Sequence, residues 1–133
     1  MIPTGISEIV LVVKDVHAAA AFYRDVVGLE PRTKPTDDWA WFLIGAGPDA
    51  QSLAVARGPI LFEEHSPRPA GQRWGPVHFA LRVPRTGLET AVGRVRAHGV
   101  TVHGPQRFEW MKAVSYYFYD PDDNLVEWWS PDG

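Results

Sequence analysis

A chain of 133 residues suits one domain with a core of its own and leaves no room for two full ones. With 45% hydrophobic and 22% charged residues and a formal net charge of -3, it has no basic surplus to draw nucleic acid or a membrane surface. It contains no cysteine, which removes disulfides, thiolate nucleophiles and sulfur-ligated zinc together; any metal must be held by His, Asp, Glu or backbone oxygen.

The opening "MIPTGISEIVLVVKD" has one short apolar run without a basic leader, followed by Lys14 and Asp15, so neither a signal peptide nor a membrane span is expected and the default location is cytoplasmic. Within it "ISEIVLVV", residues 6–13, is β-branched and apolar and reads as a buried strand. "DVHAAAAFYRDVVG" follows as a helix of about three turns. Asp15 is its N-cap, Val16, Ala19, Tyr23 and Val26 form one face, and Gly28 is the stop. "LEPRTKP" and "DWAWFLI" read as strands around a Pro/Asp turn, and "GAGPDAQ" is a turn cluster before the strand "SLAVAR".

"GPILFEEHSPRPAGQRWGP" divides the chain near its middle as an added strand and a connecting loop. "VHFALRV", residues 77–83, is again a strand. "TGLETAVGRVRAHG" is a helix with a capping box at Thr86 and Glu89, an apolar face of Leu88, Ala91, Val92 and Val95, and a stop at Gly99. "VTVHGPQRFEW", "VSYYFYD" and "NLVEWWS" complete a second strand, helix, three-strand unit. The fold class is therefore α+β: one domain over 1–133, with module one at about 5–57, a connecting segment at about 58–74 and module two at about 75–130.

The repeat has a register. "GISEIVLVV" from Gly5 and "GPVHFALRV" from Gly75 superpose at an offset of 70, which sets Glu8 on His78. Side chains alternate along a strand, so Ile9, Leu11 and Val13, like Phe79, Leu81 and Val83, share a face under the helices, while Glu8 and His78 look the other way. In the last strand Leu125, Glu127 and Trp129 share one face. If the modules curve around a common cavity, three potential metal ligands look into it.

With these features the sequence resembles the vicinal oxygen chelate superfamily, the glyoxalase, bleomycin-resistance and extradiol-dioxygenase group, over nearly its whole length. The carriers are the paired modules, "VVKDVHAAAAFYRDVVGLEP", "GPVHFALRV" and, most specifically, "FYDPDDNLVEWWS". In that family a "DPDGN" turn precedes a strand whose glutamate binds metal; here Asp123 stands where glycine is usual, and Asp tolerates left-handed backbone angles. The resemblance implies two βαβββ modules forming a curved mixed β-sheet around a central cavity. It also implies metal slots at Glu8, His78 and Glu127, the fourth slot falling on Ala54 or Ala56, alanine in either alignment. The first-strand slot is most often histidine. One imidazole with two carboxylates weakens a dioxygenase reading and suits a harder divalent ion, Mn, Fe or Mg, or less selectively Zn or Ni.

Each residue also has a plainer reading. Glu127 can be an edge-strand glutamate in solvent, and His78 a hydrogen-bonded core histidine. Glu8 can pair with Arg82. "FEEH", Glu63 to His65, is either a further ligand source or a solvated cluster. Tyr117 and Tyr119, on a face with Ser115, can donate to a substrate or simply fill the sheet, and Trp39, Trp41, Trp110 and Trp129 can wall a pocket or pack a core or dimer. Six tryptophans in so short a chain favour a ligand with apolar parts.

Two functions follow from the resemblance. One is a metal-dependent lyase, isomerase or related enzyme on a small oxygenated, partly apolar substrate, with Glu8 the candidate base if a ligand carboxylate doubles in that role and Glu127 beside it. The other is a metal-free small-molecule-binding protein of the bleomycin-resistance kind. The resemblance further implies a homodimer, with Glu8 from one chain and His78 and Glu127 from the other, or all three from one chain if its modules pair internally.

Overall fold

β1, Glu8–Val12, forms where the β-branched run of the N-terminal segment begins to alternate between exposed and buried positions. The computed structural model describes residues 2–58 and 75–133. Residues 59–74, which carry "FEEH" and most of the anticipated added strand, lie outside the described residues. Two units divide the chain, Met1–Asp25 with Leu29–Gly75 and Val26–Gly28 with Pro76–Gly133.

In the first unit the helix α1, Val16–Ala21, starts at Asp15, whose Oδ1 accepts the Ala18 N–H at 3.0 Å. The helical run continues as a π-helix, Phe22–Val27, which the apolar spacing does not announce. Gly28 then takes φ +87°, the left-handed turn that a glycine makes without penalty. β2 is Glu30–Pro31, β3 Trp39–Ile44 and β4 Gln51–Ala56, joined in the order β1-β4-β3-β2. β1 runs parallel to β4 and β3 antiparallel to it, giving a mixed sheet. One face is apolar and closed: Leu11, Leu53, Val55, Ala40 and Phe42 are buried, α1 lies against β3 and β4, and Tyr23 reaches Phe42 with ring centroids 6.2 Å apart.

The second unit repeats this plan. β5 is His78–Arg82, the helix α2 Leu88–Ala97, β6 His103–Phe108, β7 Ala113–Tyr119 and β8 Leu125–Pro131, in the order β5-β8-β7-β6 with β5 parallel to β8. Phe79, Leu81, Phe118, Val126 and Trp128 are buried on one face, Phe118 and Trp128 with centroids 5.3 Å apart, and α2 buries Leu88, Val92 and Val95. Truncating a wholly buried ring such as Phe118 costs about 3–5 kcal/mol, so this face dominates the unit's stability.

The expected βαβββ repeat is thus present twice, each copy with its own four-stranded mixed sheet. One expected detail is corrected. No capping box forms at Thr86 and Glu89: a 3-10 turn, Arg85–Gly87, starts after Pro84 and passes into α2 with Gly87 at the N-cap and no side-chain cap. The Gly87 N–H bonds the Pro84 carbonyl at 2.9 Å, which takes Thr86 out of the extended geometry that a capping side chain needs.

Candidate functional site

The open face of the second sheet follows from its register. On β8 Leu125, Glu127 and Trp129 stand opposite His78, Ala80 and Arg82 of β5, and on the other side opposite Tyr119, Tyr117 and Ser115 of β7. Directly paired residues share a face, so this surface gathers one imidazole, one carboxylate, one guanidinium, a serine and two phenols. Along β5 the alternation is complete, with His78, Ala80 and Arg82 exposed and Phe79 and Leu81 buried.

Glu127 is the unusual member, a carboxylate only 6% exposed. A buried carboxylate is costly unless bonded. Its Oε2 accepts the Ser115 hydroxyl at 2.6 Å, a short charge-assisted bond, from a serine that is wholly buried. Its Oε1 lies 3.1 Å from Nε2 of His78, whose side chain is 49% exposed. The other imidazole nitrogen, Nδ1, is 3.1 Å from the Leu125 carbonyl. A carbonyl oxygen only accepts, so Nδ1 carries a proton, and in the neutral ring Nε2 points a lone pair at the carboxylate. Two acceptors at that distance call for a cation between or beside them: a second proton on the ring, or a metal ion. Tyr117, directly across from Glu127, has its phenol held above the ordinary range, first by burial and then by the charge of Glu127.

A turn at the far end of the hairpin sets this geometry. Asp120 Oδ1 accepts the N–H groups of Asp122 and Asn124 at 2.9 and 2.8 Å, and its Oδ2 accepts the Asn124 amide at 2.9 Å. Asp123 takes φ +66°, the left-handed conformation expected for the position where glycine is usual. Asn124 Oδ1 then accepts the Val77 N–H at 2.9 Å, and the Leu125 N–H returns to the Val77 carbonyl at 2.9 Å. The turn thereby aligns the start of β5 with the start of β8, which puts His78 beside Leu125 and within reach of Glu127.

The first sheet carries the same plan with other side chains. Glu8 stands opposite Ser52, as His78 stands opposite Leu125. Two residues further on, where the second sheet has Glu127 paired with Tyr117, the first has Ala54 paired with Trp41. Register therefore selects Ala54 over Ala56 as the counterpart of Glu127. The small side chains of Ser52 and Ala54 let the indole of Trp41 reach across β4, and its Nε1 donates to Glu8 Oε1 at 2.8 Å. Trp39 stacks on Trp41 with centroids 5.0 Å apart and planes 12° off parallel, and the Ser52 hydroxyl accepts from Arg32 at 2.8 Å.

The remaining candidates separate. Arg82 lies over the Trp129 ring, 5.7 Å from its centroid, and Glu8 has Trp41 as its partner. Tyr119 is half exposed, and Trp110 is 82% exposed on a 3-10 turn, Glu109–Met111. A cleft of about 250 Å³ in the first unit, lined by Lys14, Asp15, Val16, His17, Asp37 and Arg57, contains none of the site residues; its His17 and Asp37 pair at 2.9 Å. The sequence put Ser115 on the right face but gave no sign of its bond to Glu127, and the Leu125 carbonyl has no side-chain signature at all.

As a metal site, the second sheet offers one nitrogen and one oxygen donor. Each is oriented by an outer partner, Leu125 carbonyl on the imidazole and Ser115 on the carboxylate, the support that ligands of metal ions commonly have. Among the described residues no three His, Asp or Glu side chains gather where one ion could be held.

The profile of the Glyoxalase/Bleomycin resistance protein/Dioxygenase superfamily matches residues 5–128. The chain belongs to this superfamily. Among solved structures of the same fold, lactoylglutathione lyase from Agrobacterium tumefaciens is 28% identical with a TM-score of 0.72, covering 98% of this chain and 96% of its own. An integron cassette protein from the mobile metagenome of Halifax Harbour Sewage Outfall is 26% identical, TM-score 0.73, covering 96% and 99%. The fosfomycin resistance protein FosX from Listeria monocytogenes, solved with Mn(II) and sulfate, is 24% identical, TM-score 0.69, covering 98% and 93%. No curated protein matches the chain. Within the superfamily, the position of Glu127 after the Asp120–Asn124 turn is the feature that the sequence already singled out.

Proposed function

We propose that this superfamily member is a divalent-metal-dependent enzyme, a lyase, isomerase or related catalyst, acting on a small oxygenated and partly apolar substrate. The observation that carries the reading is the His78–Glu127 pair. Its Nε2 and Oε1 sit 3.1 Å apart with Nδ1 committed to the Leu125 carbonyl, an arrangement that asks for a cation. The third donor is Glu8, brought by a first-module sheet of the same chain or of a second copy in a homodimer. A Mn, Fe, Mg, Ni or Zn ion bound there would supply Lewis-acid polarisation of a substrate oxygen.

The rest of the work falls to the chain. Ser115 fixes the carboxylate of Glu127 so that Oε1 alone faces outward to the imidazole. Tyr117, kept neutral and hydrogen-bonded to Glu127, keeps a proton that it can redirect to a substrate oxygen that gains negative charge. Glu8 holds one oxygen against the Trp41 indole, which leaves the other to accept a proton. Trp41 and Trp129 meet the apolar part of the substrate. The lyase named among the relatives, 28% identical over nearly the full length, supports the class of reaction.

A second reading has its own observation. Ala54 fills the position equivalent to Glu127, and Trp39 and Trp41 stack beside it, which suits a metal-free protein that sequesters an apolar or aromatic small molecule. Metal analysis of protein purified without a polyhistidine tag separates the two. The enzyme reading expects bound metal and a rise in Tm with Mn(II), Ni(II) or Zn(II), removed by Glu127→Gln. Less than a trace of metal and no thermal shift would sink it in favour of the binding protein.

A further inference from the structure

Arg82 is a charged residue of the open face to which the mechanism above gives no chemical task. It stands on β5 two residues beyond Ala80, the partner of Glu127, which is about 6.6 Å along the strand. Its guanidinium carbon lies 5.7 Å from the Trp129 ring centroid, within cation–π range. Among the described residues no carboxylate or other hydrogen-bond acceptor engages it, while Arg24, Arg57, Arg85 and Arg107 each pair with an aspartate. A cation–π contact uses none of the guanidinium N–H groups as hydrogen-bond donors to an oxygen, so they stay available as a planar fork matched to two oxygens of a carboxylate or phosphoryl group. On β5 the residue between His78 and Arg82 on this face is Ala80, whose side chain is a single methyl.

We propose that Arg82, seated on Trp129, is an anion subsite that selects substrates carrying a carboxylate or a phosphoryl-type group in addition to the oxygen presented to His78 and Glu127. The substrate class of the proposed enzyme is then an anionic oxygenated molecule whose apolar body rests on the Trp129 edge. This rests on the proposed function for the placement of the reacting oxygen. The anion contact itself needs no metal.

The test titrates benzoate, phenylphosphonate and the uncharged benzamide into the full chain, with and without diamagnetic Zn(II), following the Trp129 indole N–H by NMR, assigned with Trp129→Phe. Either anion should move that resonance and benzamide should not; the tighter of the two names the anion. Arg82→Gln should weaken anion binding at least about tenfold and Arg82→Lys by less, since lysine keeps the charge and loses the fork. An anion response in protein that shows no Mn(II) thermal shift supports the subsite while counting against the metal reading. Anion affinity unchanged in Arg82→Gln, or benzamide binding as well as benzoate, overturns the subsite.

Discussion

His78 faces Glu127 through Nε2 at 3.1 Å while giving its Nδ1 proton to the Leu125 carbonyl, so one ring is fixed at both nitrogens by two positions of the same neighbouring strand. Glu127→Gln replaces an acceptor by a group of the same shape and removes the negative charge. The expected outcome is loss of any metal-dependent rise in Tm, with the folded state retained. A thermal shift with Mn(II) that survives in Glu127→Gln would place the metal elsewhere.

Glu8 and the His78–Glu127 pair sit on different modules, and copies carrying different substitutions can report how they combine. Glu8→Gln and His78→Gln chains each lack a donor. Co-expressed, a site shared between two copies regenerates one intact set in each mixed dimer, roughly one site in four overall. A site within one chain regenerates none. Metal content of the mixed sample, against each variant alone, gives the answer.

The Tyr117 phenol should ionise later than a free tyrosine. Its folded value is raised, so the phenol stays neutral where the unfolded chain would already have lost the proton, and the associated stability is present below about pH 10 and lost as pH rises from there. Ultraviolet titration at high pH, taken as the difference between the natural chain and Tyr117→Phe, should place this phenol's transition above the ordinary range. Glu127→Gln should move it down only part of the way, because burial, the larger cause, remains.

The turn before β8 predicts stability effects of opposite sign at adjacent residues. Asn124→Ala leaves the buried Asp120 carboxylate and the part-buried Val77 N–H each short of one partner, at a cost of about 1–3 kcal/mol. Asp123→Gly relieves the left-handed backbone at φ +66° and should be neutral or stabilising by several tenths of a kcal/mol, whereas a β-branched residue there should destabilise. Urea unfolding of the three variants checks the order.

At the other end of β8, Asp132 takes Arg107 in a two-toothed contact at 2.7 Å and Arg85 at 2.8 Å. The Arg107 hydrogen bonds hold its carboxyl at about 2, below its ordinary 3.8. A lowered carboxyl contributes stability that is complete above the ordinary value and fades as pH falls through the folded one. The Tm gap between the natural chain and Asp132→Asn should therefore be constant near neutrality and shrink between about pH 4 and 2. A gap that persists undiminished to the lowest pH contradicts this.

What the sequence made legible was whatever alternation and helix spacing record. The two βαβββ units, the inward face of α2 and the common face of Leu125, Glu127 and Trp129 are all statements about period. The π-helical turn from Phe22 to Val27 was not, since "FYRDVV" spaces its apolar residues as an ordinary helix would. "LEPRTKP" shrank to Glu30–Pro31 because a proline gives a strand no donor. In the site, alternation was enough to bring His78 and Glu127 to one face. The Trp41–Glu8 bond spans three strands in the order β1-β4-β3, and no local pattern reports strand order.

Ala54 shows how differently the two sheets are furnished at one equivalent position. The residue is fully enclosed, paired with Val10 on one side and Trp41 on the other. A glutamate introduced there would have to displace the indole that crosses β4 and break its bond to Glu8, an overpacking of about 1–3 kcal/mol before the charge is counted. A symmetrical arrangement of acidic groups in the two halves is therefore not one substitution away. The packing around a single methyl keeps the two sheets chemically unequal.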